Sequence, residues 1–321
     1  MLMRVSVIIP MLDARAYVAD TLDGVFGQTV PPYEVIVVDN GSTDGSPAFV
    51  RERYPWARVI SEPLPGPSAA RNAGAAAACG DFLAFCDSDD VWLPWKLERQ
   101  MAAFGDLAAV GETPGLLASP TLLLIPDDEI PAAYADWSRR RAPRPVRPCR
   151  VGLGELLMGT SLMPSSAVLR RDIFESVGGF DPALTRGEDP DLWLRVARAA
   201  TVFRLDLPVY LHRDRPGSLS SRLDEVVAAQ TALLRRWSPE RQPGLIPSGL
   251  HRRACSKQML SLAYRHGRAG QKPPARLFAE LALDGPFTSP YGFGLWWARR
   301  CPGLFILACR IFALQRRLKR R

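Results

Sequence analysis

Apolar positions in the first third of the chain come in two alternating kinds. Short β-branched runs at Val5–Ile9, Glu34–Val38, Arg58–Ile60 and Phe82–Cys86 read as strands. Between them, Ala14–Phe26, Ser46–Tyr54 and Pro67–Cys79 carry helical, amphipathic spacing. VSVII and EVIVV are apolar throughout instead of alternating, which predicts burial on both faces. The βαβαβαβ rhythm therefore predicts a mostly parallel, doubly wound sheet covered by helices, an α/β class. The opening MLMRVSVIIP has one Arg, a short apolar run and no small-residue cleavage site, so it is expected to be the first buried strand and not a secretory leader.

From Thr113 to Cys149 the pattern loosens into prolines and arginines, with TLLLI as the only expected strand, and an insertion or flexible loop is expected there. Regularity returns at Gly152 with a helix-like GLGELLMG, a strand in SSAVLRR, a turn at GGFDP and a strongly amphipathic helix around Glu188–Ala200. The sheet domain is expected over residues 1–222 and a helical region over 223–321. The latter holds helical stretches at Leu223–Trp237, His251–His266 and Pro274–Leu283, then an apolar, Trp- and Arg-rich tail from Tyr291. The longest apolar stretch of that tail, near Gly303–Cys309, falls short of the ~20 residues needed to cross a bilayer. Trp296, Trp297, Phe305, Ile306 and Phe312 alternate with Arg299, Arg300 and Arg310, which suits either a peripheral helix in an anionic headgroup plane or a helix packed on the domain.

Composition narrows the picture. At 321 residues and 47% hydrophobic, the chain has room for one large domain and an appendage. The six cysteines, at 79, 86, 149, 255, 301 and 309, form no CxxC pair, so neither a zinc site nor a disulfide framework is expected, and reduced thiols point to the cytoplasm. The net charge of +8 is concentrated in RRRAPRPVRPCR (139–150) and QRRLKRR at the end. Such clusters fit acidic headgroups, a lipid-linked pyrophosphate or nucleic acid, or are simply solvated.

In doubly wound sheets, ligands sit beyond the carboxyl ends of the strands. There the polar residues collect: Pro10-Met11-Leu12-Asp13 after the first run, Asp39 to Gly45 after the second, and Asp87-Ser88-Asp89-Asp90 after the fourth. No GxGxxG follows a strand and no GxxxxGK[ST] occurs, so phosphate is held by other means. Asp87 and Asp89 place hard carboxylate oxygens at a strand exit, which suits Mg²⁺ or Mn²⁺, although an Asp-x-Asp triplet also suits a helix cap. Glu188, Asp189 and Asp191 open the amphipathic helix, where the helix dipole favours their ionised form. One of them is positioned to act as a base, or the cluster serves only as a cap.

Together VSVIIPMLD, EVIVVDNGSTDGS, GPSAARNAG, GDFLAFCDSDDVWLPWKLERQ, GGFDPAL and GEDPDLWLR resemble the family 2 glycosyltransferases of GT-A fold, in order and spacing, over about residues 4–222. The resemblance implies that Pro10, Asp13 and Asp39 line the base and ribose pocket and that Arg71 lies near the nucleotide. It further implies that Asp89, with Asp87 assisting and Ser88 between them, meets the cation and diphosphate, and that Asp189 is the base, with Glu188 and Asp191 as competitors. Asp90 is expected to cap the following helix. Leu12 stands where many relatives carry an aromatic, and Asp13 where Asn is usual. In YLHRDRPGSLS, Arg215 occupies the place of a family histidine, while His212 is expected to be an ordinary packing residue.

The expected activity is inverting transfer of a sugar from a nucleotide-diphosphate donor to the hydroxyl of a saccharide or lipid-linked acceptor, with Mn²⁺ or Mg²⁺. It fits surface polysaccharide, lipopolysaccharide or glycolipid synthesis, in the cytoplasm or at the inner membrane face, with no nucleic acid partner. The competing readings are a glycosyltransferase-like subunit without turnover and a sugar nucleotidyltransferase. The second normally opens with a Gly- and Arg-rich signature that VSVIIPMLD lacks.

Overall fold

The computed structural model describes residues 3–120, 123–159, 162–184, 186–215 and 223–268. The expected helix at 274–283, the basic tail and the Gly-Ser stretch after Arg215 lie outside the described residues. The chain divides into two compact units, residues 1–153 with 160–216, and residues 154–159 with 217–321.

In the first unit the predicted alternation is realised as β1 (Val5–Met11), α1 (Val18–Phe26), β2 (Glu34–Asp39), α2 (Ser46–Arg53), β3 (Ala57–Ser61), α3 (Pro67–Ala77) and β4 (Phe82–Phe85). There follow β5 (Val91–Trp92), α4 (Lys96–Ala109), β6 (Pro114–Ala118), β7 (Leu123–Pro126), α5 (Ile130–Ser138) and β8 (Cys149–Val151). α6 (Leu153–Leu157) crosses into the second unit, and β9 (Val168–Arg170), α7 (Arg171–Ser176), α8 (Glu188–Ala199), β10 (Thr201–Arg204) and β11 (Tyr210–Asp214) complete the first. Eight strands form one sheet in the order β3-β2-β1-β4-β9-β6-β10-β8, in which only β9 and β8 run against the rest. A smaller sheet, β5-β11-β7, sits beside it.

Burial explains the sheet. Val7, Ile8 and Ile9 of β1 and Ile36, Val37 and Val38 of β2 are fully buried, as continuous apolar runs require when helices cover both faces. α3 packs so closely that a Cβ on Gly74 would lie 2.4 Å from Cγ2 of Ile8, so this helix must carry small residues where it meets β1 and β2. Its alanine-rich face in turn holds Arg71 low against the sheet edge.

The stretch after Thr113 is not a loose insertion. Its PGLLA forms β6, buried at all five positions and central in the large sheet, and β7, α5 and β8 follow. Five residues including Pro and Gly show no period, which is why pattern alone does not reveal the strand.

In the second unit α9 (Leu223–Arg236) and α10 (Ser248–Arg268) pair, and His251 Nε2 lies 2.8 Å from the Leu234 carbonyl oxygen. No helix among the described residues is long and apolar enough to cross a membrane.

Candidate active site

β1 and β2 lie side by side with Met11 opposite Asp39, so the segments leaving them share one edge. Asp13 takes a left-handed backbone, φ 47°, and its carboxylate accepts the Thr43 N–H at 2.8 Å while its own N–H donates to Ser42 Oγ at 3.0 Å. Asp39 Oδ1 accepts the Ser42 N–H at 3.1 Å. Asn40 ties this loop to the next by donating to the carbonyls of Glu62 and Leu64 and accepting from the Gly66 N–H. These bonds tie the segments leaving β1, β2 and β3 into one rim that carries Pro10, Asp13 and Asp39. Leu12 is 58% exposed on that rim, an apolar surface without the breadth of a ring.

β4 delivers the second group. Asp87 and Asp89 leave the strand with side chains 26% and 22% exposed. From α3, Arg71 reaches over, its Nη2 donating to Asp87 Oδ1 at 2.7 Å and its Nη1 to Glu188 Oε1 at 2.9 Å. Arg71 is almost fully buried and lies against the Phe180 ring, 5.2 Å from its centroid. Phe180 belongs to an aromatic cluster with Phe85, Phe174 and Trp193, and Asn72 clamps its backbone N–H and carbonyl. Strand β4, helix α3, the GGFDP turn and the start of α8 are thereby locked to one another.

α8 begins after Gly187, whose φ of 76° favours glycine, and its buried stripe of Leu192, Trp193, Leu194 and Val196 seats the helix with Glu188 of its first turn on Arg71. Asp189 is partly buried there, and burial, then the neighbouring Glu188 carboxylate, raise its carboxyl well above the usual range. Arg71 pulls the other way and is outweighed.

Three expectations change. Asp191 leaves the set of candidate bases, because it is fully buried and accepts from Arg195 Nε at 2.8 Å along its own helix. Asp90 caps no helix: α4 starts at Lys96 without a side-chain cap, and Asp90, buried before β5, pairs instead with His212 Nδ1 at 2.8 Å. His212 is thus a defined partner of the acidic loop and not a bystander.

Arg215 meets the second carboxylate, Nε to Asp89 Oδ2 at 2.7 Å, and lies over the Tyr17 ring. Ser88, between the two carboxylates, is partly buried. Sequence reasoning missed Arg213. It is buried, donates to the Asp89 carbonyl oxygen at 2.9 Å and to Asp20 at 2.7 Å, and also pairs with Asp127. The signal available was the i, i+2 spacing of Arg213 and Arg215 around a strand end.

The donor set fits a divalent cation shared with a phosphate. Asp87 and Asp89 each commit one oxygen to an arginine and leave the other without a hydrogen bond among the described residues. No group of three or more His, Cys, Asp or Glu among the described residues could hold a metal alone. Mg²⁺-like ions are commonly held in this way, by one or two carboxylates, waters and substrate phosphates.

Residues 6–119 match the model of Glycosyl transferase family 2, a stretch running from β1 through β6. The chain is 40% identical over 101 residues to a putative teichuronic acid biosynthesis glycosyltransferase, TuaG, of Bacillus subtilis, covering 30% of this chain and 40% of that protein. It is 26% identical over 251 residues to an uncharacterized glycosyltransferase, YwdF, of the same species, covering 77% and 87%. The match to TuaG spans less than half the length of that relative. Among solved structures, TarS 1-349 of S. aureus in complex with UDP superposes with a TM-score of 0.54 at 19% identity over 93% of this chain and 92% of that one. The mannosyltransferase PcManGT from Pyrobaculum calidifontis in complex with GDP-Man and Mn2+ gives 0.58 at 19% over 97% and 87%. The likeness to these enzymes establishes the fold as GT-A.

Proposed function

We propose that this chain, which carries a family 2 glycosyltransferase domain over residues 6–119, transfers a sugar with inversion from a nucleotide-diphosphate donor to an acceptor hydroxyl. The observation that carries the reading is the Arg71 bridge. It draws Asp87, at the end of β4, and Glu188, 117 residues from Arg71, to one guanidinium, with Asp189 next in the chain. Carboxylates from two distant segments therefore share one guanidinium at the carboxyl edge of the sheet, the edge from which Asp13 and Asp39 also leave β1 and β2.

In this reading the rim takes the nucleoside, with Asp39 accepting hydrogen bonds from base N–H or ribose hydroxyl. Pro10 and Leu12 supply the apolar wall. Asp87 and Asp89 would hold Mn²⁺ or Mg²⁺, which when bound offsets the negative charge that grows on the departing diphosphate. Arg215 adds a guanidinium fork at the same place. Asp189 accepts the acceptor proton as the hydroxyl oxygen bonds to the anomeric carbon. The carbon–oxygen bond to the diphosphate breaks on the opposite face and its electron pair leaves with the phosphate. A base needs a pKa drawn toward the working pH, and burial beside Glu188 moves Asp189 in that direction.

The relative named for teichuronic acid biosynthesis supports a polysaccharide acceptor. The test is release of nucleoside diphosphate from a panel of UDP- and GDP-sugars with Mn²⁺ and a panel of glycan acceptors. Turnover is expected with at least one donor, with inverted configuration at the transferred carbon, and lost in Asp89→Ala. Turnover undiminished by Asp89→Ala or by chelation would overturn the assignment.

A further inference from the structure

Helices α1 and α2 run back from the carboxyl edge of the sheet, so their last residues reach the opposite end, where the strands begin. There Asp23, Phe26, Arg53, Tyr54 and Trp56 line an open cavity of 430 Å³. None of these residues belongs to the cleft described above. Strand β1 alone is roughly 23 Å long at ~3.3 Å per residue, which separates the two places by more than one sugar ring.

The lining has two characters. The Phe26 and Tyr54 rings lie parallel, 8° apart in plane and 6.0 Å between centroids. Trp56, immediately before β3, is 81% exposed, an indole left in water beside them. Against this apolar face stand two charges. The Tyr54 hydroxyl donates to Asp23 Oδ1 at 2.7 Å and accepts from Arg53 Nε at 3.1 Å, which orients both. Asp23 Oδ2 and Arg53 Nη2 are 3.9 Å apart and stay about half exposed, with no hydrogen bond among the described residues.

That mixture selects an occupant. A purely apolar partner would strip water from this half-exposed ion pair and return no hydrogen bond, and a polyanion would meet the Asp23 carboxylate. A pyranose satisfies both halves: its C–H face lies on the exposed Trp56 indole, while adjacent hydroxyls donate to the carboxylate and accept from the guanidinium. The volume falls in the range of about 300–1,000 Å³ usual for small-ligand sites. We propose that this cavity is a saccharide-binding site that grips the glycan acceptor several sugar units from the reacting end. The identity of that glycan rests on the transferase reading, whereas binding itself does not.

The experiment is calorimetric titration of the full chain with hexasaccharides of glucose, of mannose and of N-acetylglucosamine. At least one is expected to bind, and Trp56→Ala and Asp23→Asn are expected to weaken it by about tenfold or more. Trp56→Phe should retain most of the affinity. Binding of none of the three, or binding indifferent to Trp56→Ala, would overturn the site. So would a dimer in sedimentation that Trp56→Ala breaks, since the patch would then belong to a second copy. Nucleoside diphosphate release with a monosaccharide acceptor separates the two readings. Its absence with glycan binding intact removes the transferase assignment alone, and its presence without glycan binding removes this site alone.

Discussion

Asp90 Oδ1 and His212 Nδ1 lie 2.8 Å apart, joining the acidic loop after β4 to β11 across 122 residues of sequence. The Asp90 carboxylate, with help from Asp87 and Asp89, outweighs the effect of burial and lifts the His212 imidazole to about 9. A group whose pKa is raised by folding adds stability that is complete below its unfolded pKa and is lost as pH climbs through the folded one. The contribution of His212 is therefore present at neutral pH and fades toward pH 9 and above. Urea midpoints of the wild type should exceed those of His212→Gln near pH 7, with the gap closing by pH 10. A gap independent of pH would mean that the pair carries no charge.

Arg71 is the structural hinge of the proposed site, and its replacement separates geometry from charge. Arg71→Met leaves Glu188 and Asp87 facing each other without a cation, and breaking a buried pair typically costs about 3–5 kcal/mol. Partial exposure of Asp87 places the expected loss at the lower end. Arg71→Lys keeps the charge but not the fork that reaches two carboxylates at once. We expect Arg71→Lys to fold with a smaller loss of stability than Arg71→Met, and both to lose most diphosphate release. The readouts are urea unfolding and turnover of the two variants side by side.

Much of this was legible because it is local. Uninterrupted apolar runs gave β1, β2 and β4, and the acids after each run gave the sheet edge on which Asp13, Asp39, Asp87 and Asp89 stand. What the chain conceals is pairing at a distance. Asp90 has the look of a helix cap because caps are local, whereas its partner His212 is specified only by the register that sets β11 against β5. Asp191 has the same composition as Asp189 two positions away, but the 3.6-residue turn points it inward to Arg195. β6 escapes notice for the opposite reason, being short, wholly buried and without any period.

Arg213 touches no candidate ligand group directly, yet it anchors the backbone of Asp89, and through Asp20 and Asp127 it ties α1 and the turn after β7 to that point. Loss of a group that orients a metal ligand commonly costs about 10–100-fold in metal affinity. Arg213→Gln is expected to raise the Mn²⁺ concentration for half-maximal turnover by about tenfold or more, with stability lowered by roughly 1–2 kcal/mol because both acidic partners are partly exposed. An unchanged Mn²⁺ dependence with the same loss of stability would reduce Arg213 to a purely structural tie.

Asp189 and Asp191 make the sharpest pair of variants, since the two carboxylates sit two residues apart on α8, on different faces of the helix and in different environments. Asp189 is partly buried and carries a raised pKa, so Asp189→Asn removes the proposed proton acceptor while relieving a carboxylate that burial disfavours. Its stability should hold or rise, and its rate should fall by about 10²–10⁴-fold, the usual worth of general base catalysis. Asp191→Asn, by contrast, leaves Arg195 without its anionic partner in a buried setting, for which a loss of about 3 kcal/mol or more is expected. Turnover per folded molecule of that variant should stay near the wild type. Thermal unfolding and single-turnover rates on the same preparations decide between them. If Asp191→Asn proves stable and inactive while Asp189→Asn keeps full turnover, the base assignment on α8 is reversed.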